Sequence, residues 1–321
     1  MHILITGGAG MLGLRLAQAL ANRGHLNKTP ITKLTLFDQV APPQDDRWES
    51  LSGDITNPQT IRTLVTRETA VIIHLAAVVS GQAEQDFDLG MQVNLAATQH
   101  LLETCRQLET TPRVLFASSI AVYGGDMPAV IEDGTYLAPQ SSYGTQKAIA
   151  ELLINDYSRK GFIDGGTARL PTIVVRPGRP NQATSTFASS IIREPLQGET
   201  AICAVSPETR LWILSPGRAI ESLTHAAELP AGAWGNSRAM ALPGLSVSVQ
   251  EMVDGLRQIA GQNVVDRIEW KPDPFIQNIV GSWPAEFNPK RAKALGFKAD
   301  DSMQAIIQSF IDDELGGTFI P

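Results

Sequence analysis

Tyr143 and Lys147 stand four residues apart in a segment whose periodicity predicts a helix, so both side chains lie on one face. That spacing suits the oxidation of a secondary alcohol. A free phenol has a pKa of about 10 and is a poor base at neutral pH. A nearby ammonium group favours the phenolate and lowers that value. Tyr143 can then take a hydroxyl proton while hydride departs, and in the reverse direction it returns the proton to a carbonyl. Ser119, at the end of an apolar run, can hydrogen-bond the same substrate oxygen. A Tyr-x-x-x-Lys pair alone is common by chance, so its meaning depends on the elements that precede it.

A departing hydride needs an acceptor, and the first residues provide for one. Gly7-Gly8-Ala9-Gly10-Met11-Leu12-Gly13 follows an apolar strand pattern at 3–6 and opens a helical pattern at 12–23. One glycine allows the tight turn, one lets the backbone approach a pyrophosphate, and one lets helix and strand pack closely. The helix N-terminus then presents free N–H groups and its positive dipole end. Gly7, Gly10, Met11, Leu12 and Gly13 are therefore expected to hold a dinucleotide.

Asp38, after a second strand at 33–37, fits the ribose hydroxyls of adenosine and would repel a 2′-phosphate, which favours NAD over NADP. Its alternative role is to cap the strand. Asp38 lies further past Gly13 than is usual, and the stretch His25-Leu26-Asn27-Lys28-Thr29-Pro30 explains the delay. Asp54, in Gly53-Asp54-Ile55, either holds the adenine amino group or closes a turn.

Further strands are expected at 71–74, at 113–117 and, as one strand or a pair, at 168–175, with helices at 58–67, 84–108 and 143–159. This alternation predicts an α/β fold, a Rossmann-type doubly wound parallel sheet. Beyond Pro177 the elements shorten. Residues 1–177 read as the NAD-binding domain and 178–321 as a smaller mixed α/β substrate lobe, with strands that can interleave. Ser248-Val249-Gln250-Glu251 is a capping box for a helix to about 260, and a last helix is expected at 302–313.

A net charge of −7 with no basic block argues against nucleic acid. No apolar run reaches about 18 residues, which argues against a membrane span. Two scattered cysteines, Cys105 and Cys203, fit a reducing compartment and buried thiols, and the cytoplasm is the default expectation. The five histidines have no metal-ligand spacing, so no metal is expected; His74 reads as a packed residue.

In order along the first 180 residues, Gly7–Gly13, Gly53-Asp54-Ile55, His74-Leu75-Ala76-Ala77, Asn94, Ser118-Ser119-Ile120-Ala121-Val122-Tyr123-Gly124, Ser142-Tyr143-Gly144-Thr145-Gln146-Lys147 and Arg169-Leu170-Pro171 resemble the extended short-chain dehydrogenase/reductase family. That family includes NAD-dependent epimerases and dehydratases. The resemblance implies that Ser119 rather than Ser118 is catalytic with Tyr143 and Lys147. It implies that Ile55, Leu75, Ala76, Ala77 and Asn94 line the cofactor and that the loop containing Pro171 and Thr172 flanks the nicotinamide. It also implies a homodimer through the helices near 84–108 and 143–159. Dehydratases of the family carry an Asp-Glu pair after the catalytic Ser or Thr, where this chain has Ile120 and Ala121.

Val78-Val79-Ser80-Gly81, Phe87–Met91, Pro171–Gly178 and Glu208–Trp212 resemble the members that oxidise the 2-hydroxyl of four-carbon sugar acids with NAD. The alternative within the family is a sugar-nucleotide epimerase, which recycles its NAD. An acid substrate needs a cation, and arginine's planar fork matches a carboxylate. Arg176, Arg179, Arg193 and Arg210 are the candidates, each with a structural salt bridge as its bland alternative; at least one of Arg179 and Arg210 is expected to contact the carboxylate, and Ser80 can bond substrate hydroxyls.

Overall fold

Seven strands form a parallel sheet in the computed structural model, which describes residues 1–178 and 184–321. Across the sheet they run Ala239–Ala241, Asp164–Leu170, Arg113–Ser119, Thr69–His74, His2–Thr6, Lys33–Asp38 and Glu49–Ser52. His2–Thr6 is buried along its whole length, as a strand covered on both faces must be. The direction of winding reverses between His2–Thr6 and Thr69–His74. Open α/β sheets bind ligands at such a switch point, outside the carboxyl ends of the strands.

The chain divides into two compact units. Residues 1–122, 141–169 and 220–241 make the unit that holds the large sheet. In its core Leu4, Phe37, Ile72, Val114 and Phe116 pack with Leu101, Leu102, Ala150 and Ile154. Residues 123–140, 170–219 and 242–321 make the other unit. There Thr172–Ile173, Arg210–Leu214 and Leu245–Ser248 form a three-stranded sheet. The helices Thr186–Leu196, Val249–Ala260 and Met303–Glu314 bury Ile191, Met252, Leu256, Ile307 and Phe310. The Ser248 capping box is complete, with Glu251 reaching back to the Ser248 N–H. The expected boundary at 177 falls inside this second unit, and 220–241 return to the first.

Two local expectations change, and the choice left open at 168–175 is decided. The helix expected over 84–108 is interrupted at Asp86, whose φ of −126° is not helical. The Asp86 side chain accepts the Leu89 N–H at 2.9 Å and so starts a new turn, Phe87–Gly90. A π-helical stretch, Met91–Ala96, precedes the regular helix Ala97–Leu108. The delay before Asp38 is a small hairpin: His25–Leu26 pairs antiparallel with Thr29–Pro30, and Asn27 and Lys28 turn with φ of 48° and 63°. The strand pattern at 168–175 is two strands, Asp164–Leu170 and Thr172–Ile173, in different sheets with Pro171 between them. Among the described residues no helix is long and apolar enough to cross a membrane.

Candidate active site

The glycine loop is shaped by what cannot fit in it. Gly7 has φ +74°, and a Cβ there would fall 2.8 Å from the backbone N of Ala76. At Gly13 a Cβ would fall 2.1 Å from the Gly7 carbonyl oxygen. Gly10 donates to that same oxygen at 3.1 Å and is the N-cap of Met11–Arg23, with no side chain to cap it. The amides of Met11, Leu12 and Gly13 therefore have no acceptor within the helix. This bare, positively polarised helix start fits a dinucleotide pyrophosphate.

Asp38 ends its strand beside this loop, and its Oδ2 accepts the Ala9 N–H at 3.1 Å. Asp54 is exposed and its Oδ1 accepts from the N–H and hydroxyl of Thr56, at 2.8 and 2.7 Å. It closes a turn, one of its two expected roles. Ile55 is 9% exposed and belongs to the core of the unit.

Leu75, Ala76 and Ala77 leave the strand Thr69–His74 at the switch point. A chain of hydrogen bonds fixes them. Leu75 N–H donates to the Thr6 carbonyl at 3.1 Å and Ala76 N–H to the Thr6 hydroxyl oxygen at 3.3 Å. The Thr6 hydroxyl then donates to His74 Nδ1 at 2.7 Å, and His74 Nε2–H donates to Thr98 Oγ1 at 3.0 Å. Thr98 in turn donates to the Asn94 carbonyl at 3.0 Å. Each hydroxyl supplies one donor and the imidazole one donor and one acceptor, so only a neutral His74 satisfies the chain. Burial pushes its pKa down to about 3, and the charge of Lys147 pushes the same way. His74 is packed, as its position suggested.

Asn94, expected to line the cofactor, is 1% exposed. Its amide accepts the Val78 N–H at 2.9 Å and donates to Gln146 Oε1 at 2.8 Å. It thus ties the π-helical stretch to the loop after the Thr69–His74 strand and to the helix that bears Tyr143.

That helix, Ser142–Arg159, is fixed at its start by two acceptors. Ser141 caps it by accepting the Gly144 N–H at 3.1 Å, and Glu84 accepts the Ser142 N–H at 2.9 Å. Its first turn carries Tyr143 and its second Lys147, and the strand Arg113–Ser119 brings Ser119 to them. Ser119 Oγ accepts the Ala121 N–H at 3.1 Å, and its hydroxyl lies where it lowers the pKa of the Tyr143 phenol. Its neighbour Ser118 is 2% exposed, and its buried hydroxyl has no partner among the described residues. Of the two serines, Ser119 is the one beside the Tyr143 phenol.

Lys147 is 1% exposed. Its Nζ donates to the Ala117 carbonyl at 2.9 Å and lies 4.5 Å from the centre of the Phe116 ring and 5.7 Å from that of Tyr143. Burial pulls its pKa down to about 7, opposed by the Glu151 carboxylate. Burial pushes the Tyr143 phenol up to about 12, opposed by the bond from Ser119. The protein alone thus holds Tyr143 protonated near neutral pH.

The expected substrate contacts are less uniform. Ser80 is half-buried at the start of the helix Ser80–Gln85. Arg179 lies outside the described residues. Arg210 bonds the Ser246 hydroxyl and carbonyl, and lies 3.2 Å from Glu251 and 3.5 Å from Glu286. Its guanidinium already faces two carboxylates, the structural alternative. Pro171 and Thr172 belong to the second unit, where Thr172–Ile173 pairs with the strand Arg210–Leu214. Sequence reasoning missed Gln146, Glu151 and Arg169. Glu151 had a readable signal, since it stands four residues after Lys147 on the same helix face.

The family model described as the NAD dependent epimerase/dehydratase family matches residues 3–234. The chain is 54% identical to a D-erythronate dehydrogenase of Cupriavidus necator, over 98% of each chain. It is 45% identical to one of Haemophilus influenzae, over 98% of this chain and all of that one. A solved structure described as a nucleoside-diphosphate-sugar epimerase from Agrobacterium tumefaciens superposes with a TM-score of 0.95 at 44% identity, covering 99% of this chain and 95% of that one. The chain belongs to the NAD-dependent epimerase/dehydratase family: it is an NAD-dependent oxidoreductase, and NAD is its cofactor.

Proposed function

We propose that the protein oxidises the 2-hydroxyl of D-erythronate to 2-dehydro-D-erythronate, with Tyr143 as general base. The observation that carries this reading is the meeting of Ser119, Tyr143 and Lys147 on adjoining elements of one unit. The substrate is suggested by the names of relatives similar over nearly their whole length. Gly7, Gly10, Met11, Leu12, Gly13 and Asp38 hold the adenosine and pyrophosphate part of NAD, with Leu75, Ala76 and Ala77 beside them. Tyr143 and Lys147 hold the nicotinamide ribose. NAD, when bound, supplies the acceptor for the hydride leaving carbon 2.

The residues of the chain handle the proton. Ser119 orients the substrate hydroxyl and donates to the phenol oxygen, which stabilises its charged form. The Lys147 ammonium favours the same form through space. Tyr143 then takes the hydroxyl proton. Ser80 bonds a substrate hydroxyl, and Arg179 anchors the carboxylate in preference to the already engaged Arg210. Arg176, half-buried and near the charge of Arg193, is a third cation for that role. The enzyme is read as a cytoplasmic homodimer. Exposed Phe87, Ile149 and Leu152, on the helical segments expected to pair, support the dimer.

A second reading, a sugar-nucleotide epimerase, is favoured by the description of the Agrobacterium structure. Incubation with D-erythronate and NAD separates the two. The dehydrogenase accumulates NADH in step with substrate consumed, read by its absorbance. An epimerase accumulates none.

A further inference from the structure

Lys147 is not the only charge buried in this region. Glu151, one turn further along the same helix, is 4% exposed, and Arg169, on the strand Asp164–Leu170, is 7% exposed. Arg169 Nε donates to both carboxylate oxygens of Glu151, at 3.0 and 3.1 Å, and its Nη2 donates to Oε2 at 2.7 Å. A forked contact of this kind fixes where the negative charge sits as well as keeping it ionised. Removing two charges from water is costly, and a buried pair is often no more stabilising than apolar residues of the same size. Its placement beside Lys147 gives it another use.

Among the described residues the groups that face Lys147 are few. On its own helix they are Tyr143 and Glu151. From the strand Arg113–Ser119 come the Phe116 ring and the Ala117 carbonyl, neither of them ionisable. From the strand Thr69–His74 comes His74, which its hydrogen bonds hold neutral. Glu151 is thus the negative charge in this set, and Arg169 is the group that holds it in place. Glu151 acts on Lys147 and Arg169, of opposite sign, is bonded to Glu151, so loss of either charge changes the local potential in a known direction.

We propose that the Glu151–Arg169 ion pair is a positioning device that sets the local potential at Lys147 and Tyr143, and with it the charge state of the one and the basicity of the other. The inference rests on the reading of Tyr143 as general base. Glu151→Gln removes the negative charge and keeps that of Arg169, which makes the local potential more positive, favouring the Tyr143 phenolate and disfavouring the Lys147 ammonium. Arg169→Met leaves the Glu151 charge uncompensated and does the reverse.

The test is the pH profile of kcat/KM for D-erythronate oxidation, with NAD binding followed by fluorescence to confirm a folded site. In Glu151→Gln both limbs of the profile move to lower pH, and in Arg169→Met both move to higher pH, each by roughly half a unit to one unit. Arg169→Lys keeps the charge and leaves the limbs in place. Where Glu151→Gln does not fold, Glu151→Asp keeps the core's charge balance, draws the carboxylate back by one methylene, and moves the limbs downward by less. A lower kcat/KM with unmoved limbs, or movement of both single-charge variants in one direction, overturns the proposal. Tyr143→Phe tells the two failures apart. Full turnover in that variant overturns the Tyr143 reading and the proposal with it, whereas loss of turnover beside immobile limbs overturns the ion-pair role alone.

Discussion

The Asp38 carboxylate accepts the backbone N–H of Ala9 at 3.1 Å, so the residue proposed to read the adenosine ribose also braces the glycine loop. Asp38→Ala removes both the contact and the negative charge that repels a 2′-phosphate. Catalytic efficiency with NAD should fall about tenfold or more, as for loss of a charged hydrogen bond worth about 1.5–3 kcal/mol. Efficiency with NADP should rise relative to NAD. Steady-state kinetics with each cofactor check this, and an unchanged NAD-to-NADP ratio would count against the assignment.

Gly13→Ala sets a Cβ against the Gly7 carbonyl oxygen, which is backbone and cannot swing aside. The helix must shift, at a cost of about 1–3 kcal/mol for overpacking. A lower melting temperature and weaker NAD binding are expected together. Loss of one without the other would separate packing from cofactor contact.

Ser119→Ala removes the hydrogen bond that works against burial at the Tyr143 phenol. The Tyr143 pKa, already pushed up to about 12, then rises further. The base is available only when deprotonated, so the acidic limb of kcat/KM moves to higher pH. Turnover at pH 7 falls, by a factor of about 10²–10³ for loss of one oriented donor. A pH–rate profile with an unmoved acidic limb contradicts this role.

His74 gives the fold its own pH dependence. In the unfolded chain it binds a proton below its ordinary value of 6.5, whereas in the folded chain it does so only below about 3. The unfolded state therefore binds more protons between those values, and stability is lost as pH falls through that window. Urea unfolding between pH 7 and pH 4 should show the slope. His74→Gln should flatten it, at some cost to stability at neutral pH.

Arg210→Ala should leave KM for D-erythronate nearly unchanged, because the guanidinium is already engaged with Glu251, Glu286 and Ser246. Arg179→Ala should raise it about tenfold or more, the loss expected for a charge-assisted hydrogen bond. If neither variant changes KM, neither arginine holds the carboxylate.

The features legible in the sequence are those whose chemistry is local. The glycine loop, the Asp38 strand end, the Ser248–Glu251 capping box and the shared face of Tyr143 and Lys147 each depend on residues a turn or a strand apart. The break at Asp86 was hidden because the apolar spacing on both sides of it is helical. Only the side-chain bond to Leu89 shows that the helix restarts. The hairpin over His25–Pro30 appeared only as a delay before Asp38, since Asn27 and Lys28 adopt left-handed angles that their types merely tolerate. The partner of Glu151 could not be read, because Arg169 reaches it from another element.

The strand Ala239–Ala241 pairs with Asp164–Leu170 at the outer edge of the large sheet. Synthesis therefore reaches residue 241 of 321 before that sheet can be finished, and all of 170–219 emerges first. A nascent chain stalled anywhere short of this point exposes a raw strand edge along Asp164–Leu170, the strand that carries Arg169. The ribosome must deliver the whole of the second unit's middle stretch before that edge of the first unit is covered.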